Sequence, residues 1–445
     1  MKKRYFYIPA ILLSGIFVVM IVSKYQGEEK AFHGMLERRD NSSSFREWEI
    51  TKNYASGLLE ALKKNPSDVK SILALTTLFI REARITGNYK YYDREGLKYL
   101  NRVLKNDSAN FEALTFKSLI FLSQHHFADG LAIAEKAQAL NPFNAFIYGL
   151  LVDGNVEMGY YDSALSNAER MISIRPDLRS YSRISYLREI FGDYQGAIKA
   201  MKMAVDAGAP NDEATEWTRT QLGRLYENTG DLKNAEMHYL IALEERPGYA
   251  YALAGLARIA EAGKNYAKAI YYFKKADSAV HDFSFEEELS EVYKLSGQKQ
   301  KADSLTNLVI NGLCEDEKGG QNDENMGHYA DRELAYAYLK INNYPKALEH
   351  ALIEYNRRPD NIDANETVAW AYYCKGDYSK ALNYLQTGLK THSKNPTLLC
   401  HAGLIYAKIG DLERAKSILK EALRRDPNIS EILKAESRQT LQSLL

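Results

Sequence analysis

The sequence predicts an all-α protein, built as an α-solenoid of about ten helix pairs with a C-terminal capping helix. Three observations lead to this fold class. Alanine recurs every 34 residues, at Ala347, Ala381 and Ala415, and glycine and proline recur in step with it. Such a fixed period is the signature of a repeat architecture. The 445 residues are 45% hydrophobic and 26% charged, which is the composition of an ordinary folded protein.

The N-terminus carries a segment that can span a membrane. Residues 2–4 are basic, and the 19 residues at 5–23 carry no charge. A helix of that length rises about 28 Å, close to the thickness of a bilayer's hydrocarbon core. Because basic flanks stay in the cytoplasm, we expect residues 1–24 to anchor the chain with everything after them outside the cytoplasm, which is the periplasm in a Gram-negative cell. The alternative is a signal segment, cleaved to release a secreted protein.

Residues 25–66 read as a polar linker and a leading helix, the helix running over about 45–64. Seven repeats are expected in residues 67–313 and three more in 328–429. The last helix, in residues 430–445, has charged residues on its outer face, as a terminal cap needs. The ten repeats begin near Ser67, Phe111, Ala145, Leu178, Glu216, Ala250, Phe283, His328, Ile362 and Pro396.

Each repeated column has a physical reason. Position 20 needs a small side chain, because the two helices of a pair come closest there. Position 15 ends the first helix, and a left-handed residue closes it at little cost. Glycine occupies position 15 at Gly159, Gly192, Gly230, Gly297, Gly376 and Gly410, with Asn342 as a substitute. Aspartates that can cap the second helix follow directly at Asp193, Asp231, Asp377 and Asp411.

These columns resemble the tetratricopeptide repeat (TPR) family over about residues 70–430. The resemblance implies a right-handed solenoid that binds a peptide or protein partner in its concave groove, against helix A of each pair. The stretches AVDAGAPNDEATEW and GHYADRELAYAYL further resemble a group of exported bacterial TPR proteins. We therefore expect a bacterial origin.

A polar segment interrupts the array. Residues 314–327, CEDEKGGQNDENMG, are acidic and rich in glycine and lie between the seventh and eighth repeats. Such a composition predicts an insertion loop on the surface.

The sequence contains no pattern that predicts catalysis. Phosphate-binding, dinucleotide-binding, zinc-protease and serine-hydrolase motifs are all missing, so we expect a protein that is not an enzyme and needs no cofactor. The neutral net charge argues against nucleic acid as a partner. His125 and His126 lie together between the two helices of the second repeat. A metal site there requires a third ligand that the sequence does not place, so no metal site is predicted.

Two stretches of the groove carry candidate partner-binding residues. Arginines can hold carboxylates through forked hydrogen bonds, and aromatic side chains offer packing area to a peptide. The alternative is that they only solvate or stack along the superhelix. The middle stretch contains Arg179, Arg183, Tyr186, Trp217, Arg224 and Arg258, and the C-terminal stretch contains Tyr329, Tyr336, Trp370 and Tyr373.

The anchor, the array and the missing catalytic motifs together favour one function. We expect a membrane-anchored, exported scaffold that binds a peptide or protein partner, with a role in envelope assembly. The alternative is an accessory or regulatory subunit of a membrane transporter or enzyme complex.

Overall fold

The computed structural model describes residues 31–38, 45–322, 327–424 and 429–445. Within these ranges the chain forms 22 helices and no strand. The leading helix α1 is Phe45–Lys64, and the capping helix α22 is Glu431–Ser443. The ten pairs between them are α2 and α3 (Val69–Thr86, Tyr89–Asn106), α4 and α5 (Phe111–Ser123, Phe127–Leu140), α6 and α7 (Ala145–Met158, Tyr161–Ile174), α8 and α9 (Leu178–Ile190, Tyr194–Asp206), α10 and α11 (Glu213–Asn228, Leu232–Glu245), α12 and α13 (Ala250–Ala262, Tyr266–Ala279), α14 and α15 (Phe283–Leu295, Lys299–Asn322), α16 and α17 (Asp331–Lys340, Tyr344–Arg357), α18 and α19 (Ile362–Lys375, Tyr378–Gly388), and α20 and α21 (Pro396–Lys408, Leu412–Arg424).

The predicted helix ends are confirmed. The six glycines at position 15 and Asn342 all have positive φ. The aspartates that follow cap the next helix: the side chain of Asp193 accepts from the amide of Gly196 at 2.9 Å, and that of Asp231 accepts from Asn234. These caps satisfy amide groups that a helix N-terminus leaves without a partner.

Small residues let the helices of neighbouring repeats approach closely. Tyr239 of α11 is fully buried, and its ring packs against Gly223 of α10 and Gly255 of α12. A Cβ atom added at Gly223 would lie 2.6 Å from that ring, and one added at Gly255 would lie 2.4 Å from it. The large tyrosine of one helix therefore depends on glycines in the two helices beside it.

The array closes on itself, so that its two superhelical turns touch. The loop between the two helices of each of repeats 1–4 contacts the loop that precedes the repeat six places later in the chain. We call these four contacts the seam. The loop after α2 meets His281 before α14, the loop after α4 meets Tyr329 before α16, the loop after α6 meets Asp360 before α18, and the loop after α8 meets His392 before α20.

At Gly159, which ends α6, the backbones of the two superhelical turns lie in direct contact. The φ of Gly159 is +81°, and an added Cβ would lie 2.2 Å from the carbonyl oxygen of Asp360. The side chain of Asn361 donates to the carbonyl oxygen of Val156 at 3.2 Å, and the amide of Ile362 donates to the hydroxyl of Tyr161 at 3.1 Å. The second superhelical turn is thus hydrogen-bonded to the first at backbone distance.

Residues 31–38 form an extended segment that packs on the first repeat. The hydroxyl of Tyr91 donates to the carbonyl oxygen of Gly34 at 2.7 Å, and the amide of Leu36 donates to the hydroxyl of Tyr92 at 3.0 Å. Arg38 pairs with the fully buried Glu82 of α2. The part of the polar linker that the structure describes therefore covers the start of the array.

Residues 314–322 are helical, so the prediction of a loop over these residues is wrong. They continue α15, which runs to Asn322. The helix continues because Val309 and Leu313 stay buried against α16, which keeps the apolar face in register. The extension also carries Asp316 to Lys90 of the first repeat, where their charged atoms are 2.9 Å apart. Acidic residues of the insertion thus join the two superhelical turns.

Across the described ranges, no helix is both long enough and apolar enough to cross a bilayer. The predicted anchor at residues 5–23 lies outside those ranges.

Candidate functional site

The two superhelical turns enclose a cavity of about 1450 Å³. Its walls come mainly from the first helix of repeats 1–5 and of repeats 8–10. Six of the ten predicted partner-binding residues line it, namely Arg179, Arg183, Tyr186, Trp217, Arg224 and Tyr336. In place of an open groove, the structure has a space between the two turns that is partly open to solvent, where Tyr186 is 38% exposed.

Two cavity arginines are available to a ligand. Arg179 and Arg224 are both exposed, and neither forms an ion pair with any residue that the structure describes. Arg179 lies over the ring of Phe146, with its guanidinium carbon 4.8 Å from the ring centroid. Desolvation by the cavity walls and the neighbouring charge of Arg183 lower the pKa of Arg179.

Arg183 and Trp217 are held by other cavity residues. Arg183 forms a forked ion pair with Asp153, to which its Nε donates at 2.9 Å. Trp217 is 36% exposed and receives the guanidinium of Arg84 over its ring at 5.7 Å. Arg183 and Trp217 thus form a fixed part of the wall beside Arg179 and Arg224.

Tyr336 belongs to the opposite wall. Its hydroxyl donates to Glu366 at 2.6 Å, and the guanidinium of Arg332 lies 5.6 Å from its ring centroid. The burial of Tyr336 and the charge of Glu366 raise its pKa well above the usual range. The hydroxyl therefore stays protonated and is already used as a donor.

The other four predicted residues do not line the cavity. Arg258 is half-buried between two carboxylates, with its Nε 2.9 Å from Glu227 and its Nη1 3.3 Å from Glu288. Its position in the same repeat column as Arg224 suggested an equal role. The structure instead makes it an internal ion-pair partner, because acidic residues from both neighbouring helices reach it.

The C-terminal aromatic residues pack against the interior of the array. Trp370 stacks on His401 at 3.7 Å and on Tyr373 at 4.7 Å between centroids. Tyr373 is 8% exposed, and its hydroxyl donates to Glu436 of the capping helix at 2.7 Å. This stack joins the last repeats to the cap and presents little surface to a partner.

Tyr329 lies in the seam. Its ring stacks on His126 of repeat 2, with 3.9 Å between the ring centroids. The guanidinium of Arg357, a residue of the same repeat as Tyr329, lies 3.9 Å from the centroid of the tyrosine ring. Its amide donates to the carbonyl oxygen of Gln124 at 3.1 Å. Tyr329 therefore connects repeats 2 and 8.

The cavity also contains acidic residues that the sequence reading missed. Asp153 and Glu157 stand at positions 9 and 13 of the third repeat, and Asp363 and Glu366 stand at positions 2 and 5 of the ninth. The predicted arginines occupy the same positions in other repeats, for example Arg179 at position 2 and Arg224 at position 9. Reading every residue type in those columns would have found them.

One of the cavity carboxyls, that of Asp93, has a strongly raised pKa. Asp93 of α3 is 3% exposed, and its Oδ2 accepts a hydrogen bond from the hydroxyl of Ser123 at 3.0 Å. Burial raises the pKa of Asp93 to about 7. Glu189, whose Oε1 accepts from Asn228 at 2.9 Å, also has a pKa raised by burial. Burial thus disfavours the charged form of both carboxyls.

Two segments of the chain, residues 220–280 and 356–438, match family models described as tetratricopeptide repeat. A mouse protein, tetratricopeptide repeat protein 21A, is 27% identical over 106 residues, which are 24% of this chain. Those residues are 8% of the mouse protein, so the chain spans less than a tenth of that relative's length.

Among solved structures, a TPR protein of Thermus thermophilus covers 46% of this chain and 97% of its own, with 20% identity and a TM-score of 0.36. The pilus biogenesis factor PilW covers 46% of this chain and 94% of its own, with 18% identity and a TM-score of 0.38. A human IFIT1 dimer covers 78% of this chain and 80% of its own, with 15% identity and a TM-score of 0.47.

Proposed function

We propose that this chain, two segments of which match tetratricopeptide repeat models, is a non-catalytic scaffold that binds a carboxylate-bearing segment of a protein partner in the cavity between its superhelical turns. The observation that carries this proposal is the pair of exposed arginines, Arg179 and Arg224, on one wall of that cavity. A guanidinium binds a carboxylate through two parallel hydrogen bonds, which fixes the direction of the bound segment.

The surrounding wall suits a peptide with a charged and an apolar part. Tyr186 and Trp217 are each more than one third exposed and lie among the cavity residues with Arg224. The hydroxyl of Tyr186 makes no hydrogen bond within the described part of the chain, so it can donate to a peptide carbonyl. Large aromatic side chains and arginine are the residue types that dominate binding energy at protein interfaces.

Acidic residues also line the cavity, and they limit what it can bind. Glu157 and Asp363 line the same cavity, and Glu157 is paired with Arg358 of the second superhelical turn. A segment with carboxylates along its whole length would meet these residues. A partner that carries one or two carboxylates near an apolar side chain fits both the arginines and the acidic residues.

The proposed site can be tested by a double substitution. We expect Arg179→Ala with Arg224→Ala to weaken the partner at least about tenfold, because charge-assisted hydrogen bonds are lost. The partner is first identified by crosslinking and mass spectrometry of the full chain, and its affinity is then measured for each variant. Arg188→Ala is the matched control, since Arg188 lies on the same helix as Arg179 but outside the cavity. Equal loss in the control, or unchanged affinity in the double variant, would exclude the cavity as the binding site.

We propose that the scaffold is exported and held at the membrane by residues 5–23, with a role in envelope assembly. The support is the uncharged run after a basic N-terminus. Fusing alkaline phosphatase, which is active only outside the cytoplasm, to the C-terminus tests the location. An inactive fusion that accumulates to normal levels would contradict export.

A further inference from the structure

A cluster of metal-ligating side chains lies in the seam, outside the cavity. His125 of the loop after α4 meets His328 and Glu333, which precede and begin α16. One potential ligand atom from each of the three residues lies within 4.8 Å of the others. The ring centroids of the two histidines are 4.2 Å apart, and His125 Nδ1 is 3.8 Å from Glu333 Oε1.

We propose that His125, His328 and Glu333 form a binding site for a divalent transition metal ion of the zinc class. Two imidazoles and one carboxylate form a ligand set found in zinc sites, and three protein ligands leave one position for water. In a tetrahedral site, ligand atoms are roughly 3.3 Å apart, as follows from zinc–ligand distances of about 2.0–2.1 Å. The ligand atoms, which lie within 4.8 Å of one another, therefore need to approach by up to about 1.5 Å to close around an ion.

The hydrogen bond of His125 favours its role as a ligand. Its Nδ1 lies 3.1 Å from the carbonyl oxygen of Tyr329. A carbonyl oxygen can only accept, so Nδ1 carries the proton and Nε2 keeps its lone pair. Histidines that bind metals usually donate their other ring N–H to such a carbonyl or to a carboxylate. Nε2 is thus the atom of His125 that would bind the ion, and the imidazole has to turn to bring it to Glu333, which Nδ1 now faces.

Glu333 supplies a second, independent indication. Its Oε2 atom is buried and makes no hydrogen bond within the described residues, although its Oε1 faces His125. A buried carboxylate oxygen without a partner costs free energy, and a bound cation would remove that cost.

The backbone of His125 adopts a left-handed conformation. It stands at position 15 of its repeat, where glycine occurs in the third and fourth repeats, and its φ is +62°. A side chain in this left-handed region costs about 1–2 kcal/mol relative to glycine. The imidazole is therefore retained at a position where it opposes local stability.

Two arginines near His125 oppose a cation, but each faces an acidic group. Arg358 is paired with Glu157, and Arg332 lies near Asp363 and Glu366, which raise its pKa. Much of their charge is thus balanced locally. A metal ion at the cluster would join repeats 2 and 8 and so strengthen the seam.

The test is a titration of the full chain, stripped of metal with a chelator, with Zn²⁺ in a calorimeter. We expect one equivalent to bind and the melting temperature to rise with Zn²⁺, because the ion binds only the folded chain. His328→Ala and Glu333→Gln are each expected to remove that equivalent and the rise in melting temperature. Co²⁺ bound to the unchanged chain is expected to give the visible absorption of a tetrahedral ion.

A second cluster provides the control. Asp277, His281 and Glu286 also bring three ligand types together, near the loop before α14. His281→Asn is expected to leave the binding of the equivalent unchanged. Glu333→Gln preserves the size of the side chain, and circular dichroism shows whether each variant folds. No binding by the unchanged chain, full binding by Glu333→Gln, or loss of binding in His281→Asn would each overturn the proposal.

Discussion

Glu157 and Arg358 form an ion pair although 201 residues separate them in the sequence. Arg358 is 4% exposed, and its Nε also pairs with Glu354 of its own repeat. Its guanidinium carbon lies 4.8 Å from the ring centroid of Phe127, a residue of the second repeat. One side chain of the eighth repeat thus contacts repeats 2 and 3 across the seam.

We expect Arg358→Ala to lower the free energy of unfolding by about 2–4 kcal/mol, because it leaves the half-buried Glu157 without its cation and leaves the buried Glu354 with Arg357 alone. Urea unfolding followed by circular dichroism measures the change. Arg414→Ala is the control, since its exposed pair with Asp411 within one repeat is worth less than about 1 kcal/mol. Equal effects of the two substitutions would show that the seam pair does not stabilise the fold.

Gly159→Ala is expected to open the seam. The new methyl group would lie 2.2 Å from the carbonyl oxygen of Asp360, so the two superhelical turns must separate. Gly376→Ala introduces the same methyl group at a similar φ of +86° with no atom within 4 Å. We expect Gly376→Ala to cost about 1–2 kcal/mol and to leave the molecule's dimensions unchanged.

Small-angle scattering distinguishes the two glycine variants. An increase in the radius of gyration is expected for Gly159→Ala alone. If both variants scatter alike, the close contact at Gly159 does not hold the superhelical turns together.

Arg224 and Arg258 occupy the same repeat column but have different expected roles. Arg258→Ala leaves Glu227 and Glu288 facing each other and is expected to cost about 3–5 kcal/mol of stability. Arg224→Ala removes an exposed cavity side chain and is expected to change stability by less than about 0.5 kcal/mol. Thermal unfolding of the two variants in parallel checks this contrast, and a larger loss for Arg224→Ala would contradict the assignment.

Asp93 predicts a pH dependence of stability. Its carboxyl has a pKa of about 7 in the fold, against an ordinary value of 3.8. Between these values the folded chain holds a proton that the unfolded chain has released, so the free energy of unfolding falls as the pH rises from about 4 to about 7. Above pH 7 the contribution of this group no longer changes.

Asp93→Asn removes that dependence. Its side-chain oxygen can still accept from Ser123, and it cannot ionise. We expect the variant to be more stable than the unchanged chain by at least about 1 kcal/mol at pH 8 and equally stable at pH 4. Urea unfolding at both values measures this. A variant that is less stable at pH 8 would show that the buried carboxylate has a partner that stabilises its charge.

The repeat columns were sufficient to place the helices. Helix ends depend on local chemistry, such as the left-handed residue at Gly376 and the cap at Asp377, and both recur in the sequence. The closure of the array could not be predicted in this way. It depends on a small rotation at every repeat, and no single column encodes the sum of those rotations.

The same limit explains the errors at the site. Arg258 and Trp370 were placed correctly on their helices, but their partners Glu227 and His401 come from neighbouring helices whose side-chain directions the columns do not give. The residues that we propose as further ligands beside His125, His328 and Glu333, lie about 200 residues away in the chain. Only the superhelix brings them near.

The six-repeat spacing of the seam has a consequence for how such a gene can change in evolution. An open array tolerates duplication or loss of a unit at any place, because each unit contacts only its neighbours. Loss of the fifth unit here would bring the loop before α20, with His392, opposite Gly159 in place of Asp360. Arg358 would then face away from Glu157. Units can therefore be added beyond the tenth without penalty, whereas the number between the fourth and the seventh is fixed.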